Sequence, residues 1–162
     1  MLSLILALLP EVTTDSLDLK ELTQASTSII IGEVLTTRVE VDRGVVSTYV
    51  TVIVDETLKG RQQQVVDVRV PGGKFGEVEM VVPNVPQFVA DTKVLLYLNN
   101  QSIVGIDDGA FFVENDRAWR STNNKNYYVP HSLFPSLDVL EASYYFDSWP
   151  LEDVRWIASH TK

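Results

Sequence analysis

The chain has no cysteine. Disulfide frameworks, thiolate zinc sites and cysteine nucleophiles are excluded together, while the redox compartment stays open, because many exported domains also lack cysteine. Basic residues are scarce: 13 Lys and Arg stand against 22 Asp and Glu, a net charge of −9 over 162 residues. Acidic residues outnumber basic ones in every third of the chain, so no basic patch is hidden by the average and nucleic acid is not an expected partner. Histidine is limited to His131 and His160. The apolar start Met1 to Leu9 falls short of the roughly 20 residues that span a bilayer, so stable membrane insertion is not expected.

That start, MLSLILALL, has the character of a signal-peptide core, although no Lys or Arg precedes it and no small-x-small cleavage site follows. Export to the periplasm, cell envelope or exterior is the expectation for this chain, with a buried N-terminal segment as the alternative. Residues 1–10 are set apart on this basis, residues 11–121 form the expected main domain, and residues 122–162 form a linker with C-terminal helices packed on it.

What the chain does contain is β-pattern. In Val46 to Asp55, Val46, Thr48, Val50, Val52 and Val54 alternate with Tyr49, Thr51, Ile53 and Asp55, the period of a strand rich in β-branched residues. Asp42-Arg43-Gly44 predicts a three-residue hairpin loop back to the run that begins at Ser28. Each run of about 13 residues would extend about 43 Å, more than a small domain is wide, so both must bend, and Gly32 is the expected bulge. A third strand is expected over Gln64 to Val70, then short strands over Lys93–Leu98, Ser102–Asp107, Ala110–Glu114 and Ala118–Ser121 as a meander. The pattern predicts a mainly β fold, a small antiparallel OB-like barrel with an N-terminal helix and a C-terminal helical appendage.

The N-terminal helix is announced by Asp18-Leu19-Lys20-Glu21, a capping box with Leu17 and Leu22 at the staple positions, and should run to about Ser26. Ser136 is an expected cap for a helix carrying Leu137, Leu140 and Tyr144, and Phe146 is placed on it too. Pro150 opens the last helix, with Leu151, Val154, Ile157 and Ala158 on one face. Burial of Ile157 and Trp156 is expected to dock it.

The helix before IIIGEV, then TYVTVIVDETLKG, VRVPGG, VPNVPQF, TKVLLYL and VGIDDGAFFV resemble, over about residues 17–113, a group of functionally uncharacterised exported bacterial domains. The opening hairpin is also similar to the netrin and metalloproteinase-inhibitor (TIMP-like) modules, which implies an OB-type barrel. The inhibitory mechanism of the latter, which needs an N-terminal cysteine, does not carry over to a chain without one.

Candidate functional residues are few. Pro71-Gly72-Gly73-Lys74-Phe75-Gly76 lacks the Ser/Thr and the helix of a phosphate loop and is read as a turn, with Lys74 and Phe75 as binding candidates. Nine of fifteen aromatics lie beyond residue 118, which nominates Trp119, Tyr127 and Tyr128 for a protein or glycan contact, against a packing role at a helix seam. A hydrolase reading would use His131 in a Ser-His-Asp set drawn with Ser132 or Ser159, but no G-x-S-x-G elbow is present, and His160 more simply complements a helix C terminus. Asp107, Asp108, Glu114 and Asp116 bracket a hairpin without the alternating spacing of a calcium loop, so solvated turns are the better account. No catalytic residue, metal or cofactor is assigned. The expected function is a monomeric, non-enzymatic binding domain, with a carbohydrate-binding module or a small hydrolase as alternatives.

Overall fold

A computed structural model describes residues 18–121 and 146–162, the side chains of Ser121, Phe146 and Asp147 excepted. Met1–Leu9, Leu17, Tyr127, Tyr128, His131, Ser132 and the helix expected after Ser136 lie outside the described residues.

The chain is mainly β. Helix α1 (Leu19–Ala25) starts on the expected capping box: the Glu21 N–H donates to Asp18 Oδ1 at 2.8 Å and the Asp18 N–H to Glu21 Oε2 at 2.9 Å. Its last turn is closed from outside, where Lys59 Nζ donates to the Thr23 carbonyl at 2.6 Å. Strands β1 (Ser28–Asp42) and β2 (Val45–Lys59) form the long antiparallel hairpin. Asp42 pairs with Val45, so the loop is the two residues Arg43 and Gly44 instead of the expected three, both at positive φ (50° and 80°). This is the geometry that suits the right-handed twist of a tight hairpin.

The bends anticipated from strand length are present as register shifts at Ile29/Ile30, Ile31/Gly32 and Val34/Thr36. Gly32 sits at the second of them for a steric reason: a Cβ there would run into the Ile53 carbonyl oxygen of β2.

Strand β3 (Val65–Pro71) pairs with β2. Two short strands follow, β4 (Gly73–Phe75) and β5 (Val78–Met80), which pair only with each other as a separate two-stranded sheet. The glycine-rich segment expected to be a turn is therefore the first strand of a small hairpin. Then come β6 (Lys93–Asn99), β7 (Ser102–Ile103), β8 (Ala110–Glu114), β9 (Arg117–Ser121), β10 (Phe146–Pro150) and α2 (Leu151–His160).

The expected strand Ser102–Asp107 ends at Ile103, where the backbone enters turns with Gly105 and Ile106 at positive φ. Phe146, expected on a helix, belongs to β10, which pairs with β9 over five residues.

The main sheet is ordered β1-β2-β3-β7-β6-β8-β9-β10, and β1 also pairs with β6 from Ser28↔Leu98 to Glu33↔Lys93. It is mixed, because Arg69 of β3 meets Ser102 of β7 in a parallel bridge. The second edge of β6 is shared: β8 takes Val94 to Leu96, and β7 takes Leu98 and Asn99. The later strands β8, β9 and β10 thus lead away from β6.

Two apolar clusters lie on opposite sides of this sheet. Ile30, Val34, Val50, Val52, Leu96 and Phe112 belong to one; Ile29, Ile31, Leu95, Tyr97 and Phe111 belong to the other, together with Leu19 and Leu22 of α1 and Leu151, Val154 and Ala158 of α2. The unbroken apolar runs in β1 and β6 have this cause, since a strand buried on both faces cannot alternate. The last helix docks through Leu151, Val154 and Ala158, as its stripe predicts, but Trp156 faces away, 62% exposed, and stacks on His160 at 4.4 Å.

Candidate functional site

The site is built where β3 leaves the main sheet. The Gly72 N–H donates to the Val46 carbonyl at 2.9 Å, and Thr48 Oγ1 donates to the Gly72 carbonyl at 2.8 Å, which roots the β4–β5 arm on β2. Gly73, at φ 136°, leaves no room for a side chain: a Cβ there would lie 2.6 Å from Thr48 Oγ1 and 3.1 Å from a Val39 methyl.

Beyond this root the arm stands in solvent. Its pairs are Gly73↔Met80, Lys74↔Glu79 and Phe75↔Val78. Alternation places Phe75, Val78 and Met80 on one face and Lys74 with Glu79 on the other. Phe75 and Val78 are each 53% exposed, Met80 37% and the following Val81 81%. Four large apolar side chains so exposed on ten residues of chain are an unusual concentration, since single exposed apolar residues are ordinary and contiguous ones mark contact sites.

The chain returns through Val82 to Phe88, the irregular connection its prolines predict. Val85 and Phe88 pack against the inner cluster, that of Ile30, Val34, Val50, Val52, Leu96 and Phe112. Between this connection and the arm is a cleft of about 440 Å³, reached by Thr37, Thr48, Lys74, Glu79, Val81 and Gln87. Lys74 and Glu79 are its charged lining residues, of opposite sign. The arrangement can cover apolar surface and pair backbone groups.

The outer face of β1, β2 and β3 is mixed: Ile53, 42% exposed, pairs with Val65, 53% exposed, beside a polar network. Arg38 donates to Glu40 Oε1 at 2.9 Å and to Asp67 Oδ2 at 3.2 Å, and its guanidinium lies 4.8 Å from the centre of the Tyr49 ring. Thr51 Oγ1 donates to Asp67 Oδ1 at 2.6 Å. This hydroxyl, followed by Arg38, holds the Asp67 carboxyl below the usual carboxylate range.

Two groups elsewhere are shifted by burial. Tyr97 is fully buried, which pushes its phenol upward against the smaller opposing effects of the Thr23 hydroxyl and the Arg120 guanidinium. Asp107 is pushed up first by burial and then by the neighbouring Asp108 carboxylate.

Of the residues singled out in the sequence, Lys74 and Phe75 meet on the arm. Trp119 does not join them: it is 4% exposed, stacked on Phe112 at 6.3 Å, with its indole N–H donating to the Glu114 carbonyl at 3.3 Å. It is a core residue, because the inner face of β9 is covered. Tyr127, Tyr128, His131 and Ser132 lie outside the described residues.

The Ser159 hydroxyl and His160 Nδ1 both reach the Trp156 carbonyl, at 2.9 and 2.8 Å, so this pair closes a helix C terminus. Asp107 and Asp108 sit in the turns after β7, Glu114 ends β8, and Asp116 lies in the β8–β9 turn. Among the described residues no three acidic or histidine groups are placed to share a metal ion. Nor is any described helix long and apolar enough to cross a membrane.

Val78, Glu79, Met80 and Val81 were not nominated by the sequence. The signal was present in GEVEMVV, a strand pattern set between a glycine turn and a proline-rich stretch. Comparison of the chain with protein-family models, with curated proteins and with solved structures finds no match in any of the three.

Proposed function

We propose that the chain is a non-enzymatic binding domain of the cell envelope or exterior, built on an OB-type barrel, that takes its partner on the β4–β5 arm and the cleft beneath it. The observation that carries the binding reading is the exposure of Phe75, Val78 and Met80 together on one face of a two-stranded arm, with Val81 just beyond its end. Their solvation is unfavourable by about 25 cal/mol per Å² of apolar area, and covering them is the gain a partner supplies.

The barrel reading is supported by the succession of pairings from β1 through β2, β3, β7 and β6 back to β1, five strands around the inner cluster. The likeness to uncharacterised exported domains, and to the netrin and metalloproteinase-inhibitor modules, belongs to the same proposal. So does export, which rests on the apolar character of Met1–Leu9. The carbohydrate and hydrolase alternatives depend on Tyr127, Tyr128 and His131, and no described feature favours them.

The test is a photoreactive phenylalanine analogue placed at Phe75 and, as control, at Trp156, which is at least as accessible. After incubation with envelope extract, a discrete crosslinked species from position 75 and none from position 156 is the expected result. Equal, diffuse labelling from both would overturn the arm as the contact surface.

A further inference from the structure

We infer that the open edge of β5 receives an extended peptide in which basic residues alternate with apolar ones; this rests on the arm being the contact surface. The β4–β5 sheet has two strands and three residue pairs, and neither strand pairs with the main sheet. A two-stranded ribbon is marginal by itself, and its edges are templates for another strand.

Phe75 and Val78 close a two-residue turn, Gly76-Glu77, and exchange the hydrogen bonds of that pair. Lys74↔Glu79 is then the pair without hydrogen bonds, so the N–H and C=O of Glu79 point away from β4 to the free edge. Among the described residues no backbone group comes to meet them.

The side chains on this edge select the incoming strand. Glu79 projects to one side and Val78 and Met80 to the other, where Phe75 widens the apolar face, while Glu77 stands in the adjoining turn. Neither glutamate has an ion-pair partner among the described residues.

A second copy of this chain is a poor occupant. Two-fold antiparallel pairing of β5 with itself centres Glu79 on Glu79 of the other copy, two like charges directly opposed, in a protein whose net charge is already −9. A strand with Lys or Arg at alternate positions sets a cation against Glu79, with Glu77 in the adjoining turn adding to the negative field, and lays its intervening apolar residues along Val78, Met80 and Phe75. Backbone bonds would supply affinity and the alternation specificity, the physics of strand addition.

The test uses three synthetic probes with the folded full chain: a blocked Lys-Val-Lys-Val-Lys peptide, its Glu-Val-Glu-Val-Glu counterpart, and the Lys-Val peptide N-methylated at its central residue. Amide NMR shifts locate binding and titration gives the affinity. The expected result is that the Lys-Val peptide shifts the amides of Glu77 to Val81, that N-methylation abolishes this, and that Glu77→Lys with Glu79→Lys weakens it by about tenfold and transfers preference to the Glu-Val peptide.

Equal binding of the basic and acidic peptides, no effect of N-methylation, or shifts confined to another surface would each overturn the inference. If no peptide binds while crosslinking from Phe75 persists, strand addition is wrong and the arm reading stands. Loss of the Phe75 crosslink removes the arm reading itself.

Discussion

Arg155 of α2 forks onto Glu56 of β2, with Nε 3.0 Å from Oε1 and Nη2 3.0 Å from Oε2. Glu56 is also the residue paired with Ile31 of β1, so the last helix is tied to the strand pair that carries the rest of the sheet. The fork is nevertheless half exposed, with side-chain accessibilities of 46% and 39%, and its worth is limited by solvent screening. Arg155→Ala should lower unfolding free energy in urea by less than about 1 kcal/mol. Leu151→Ala, which empties a site 3% exposed against α1 and the sheet, should lower it by about 2–4 kcal/mol. The reverse order would mean that charge and not packing docks the helix.

The C-terminal piece is held by β10 as well as by α2. A protease site engineered at Asn124 and then cut should leave residues 146–162 associated, because five β9–β10 pairs and the buried Leu151, Val154 and Ala158 remain. Size-exclusion chromatography of the nicked protein followed by mass analysis of the main peak reads this directly. Two separate peaks under native conditions would contradict the packing described.

Neighbouring positions on β2 should respond in opposite ways. Val52 is 0% exposed and Ile53 is 42% exposed, one facing the inner cluster and the other water. Val52→Asp should cost on the order of 3 kcal/mol or more and abolish a cooperative thermal transition, whereas Ile53→Asp should stay within about 1 kcal/mol. Gly32→Ala belongs with the first kind. Its Cβ collides with the Ile53 carbonyl oxygen, a backbone atom fixed by pairing, and a loss of about 2 kcal/mol is expected in the same assay.

Asp67 and Asp107 should give stability opposite dependences on pH. The folded-state pKa of Asp67 is lowered, by Thr51 first and Arg38 second, so its contribution is full above the ordinary carboxylate range and is lost as pH falls through the folded value. Being near the surface, it should amount to less than about 1 kcal/mol.

Asp107 is raised by burial and by Asp108, so its contribution is full at low pH and is lost as pH rises from the ordinary range through its own folded value. Asp107→Asn should therefore raise the melting temperature at pH 7 and leave it nearly unchanged at pH 3. A gain at pH 3 equal to that at pH 7 would show that the carboxylate charge is not the cause.

Local chemistry was legible in the sequence wherever a short segment decides its own shape. Asp18 and Glu21 announce α1, the alternation of Val46 to Val54 announces β2, and Pro83 and Pro86 announce a connection without strand. What was not legible depends on which segments pair and which of their faces are then covered, even between near neighbours in the chain. Ile106 has a strand-forming side chain, yet the turns between β7 and β8 hold it at φ 70°. Trp119 stands in the sequence between a contact role and a packing role until Phe112 and the inner cluster are placed against it. Lys74 and Phe75 were nominated for a glycine-rich turn, and they reach solvent for another reason: the segment pairs with Val78–Met80 as an arm outside the main sheet.

The pairing of β1 with β6 also governs how the chain must assemble. Ile29 meets Tyr97, a partner roughly 70 residues away, and until that partner exists one edge of β1 and apolar side chains on both its faces remain uncovered. During synthesis the β1–β2–β3 segment therefore emerges as a sticky intermediate that cannot complete itself. A nascent chain stalled before residue 93 should bind holdase chaperones more strongly than one extended past Asn99, and full release should wait for Phe111, Leu151 and Val154, which cover the second face.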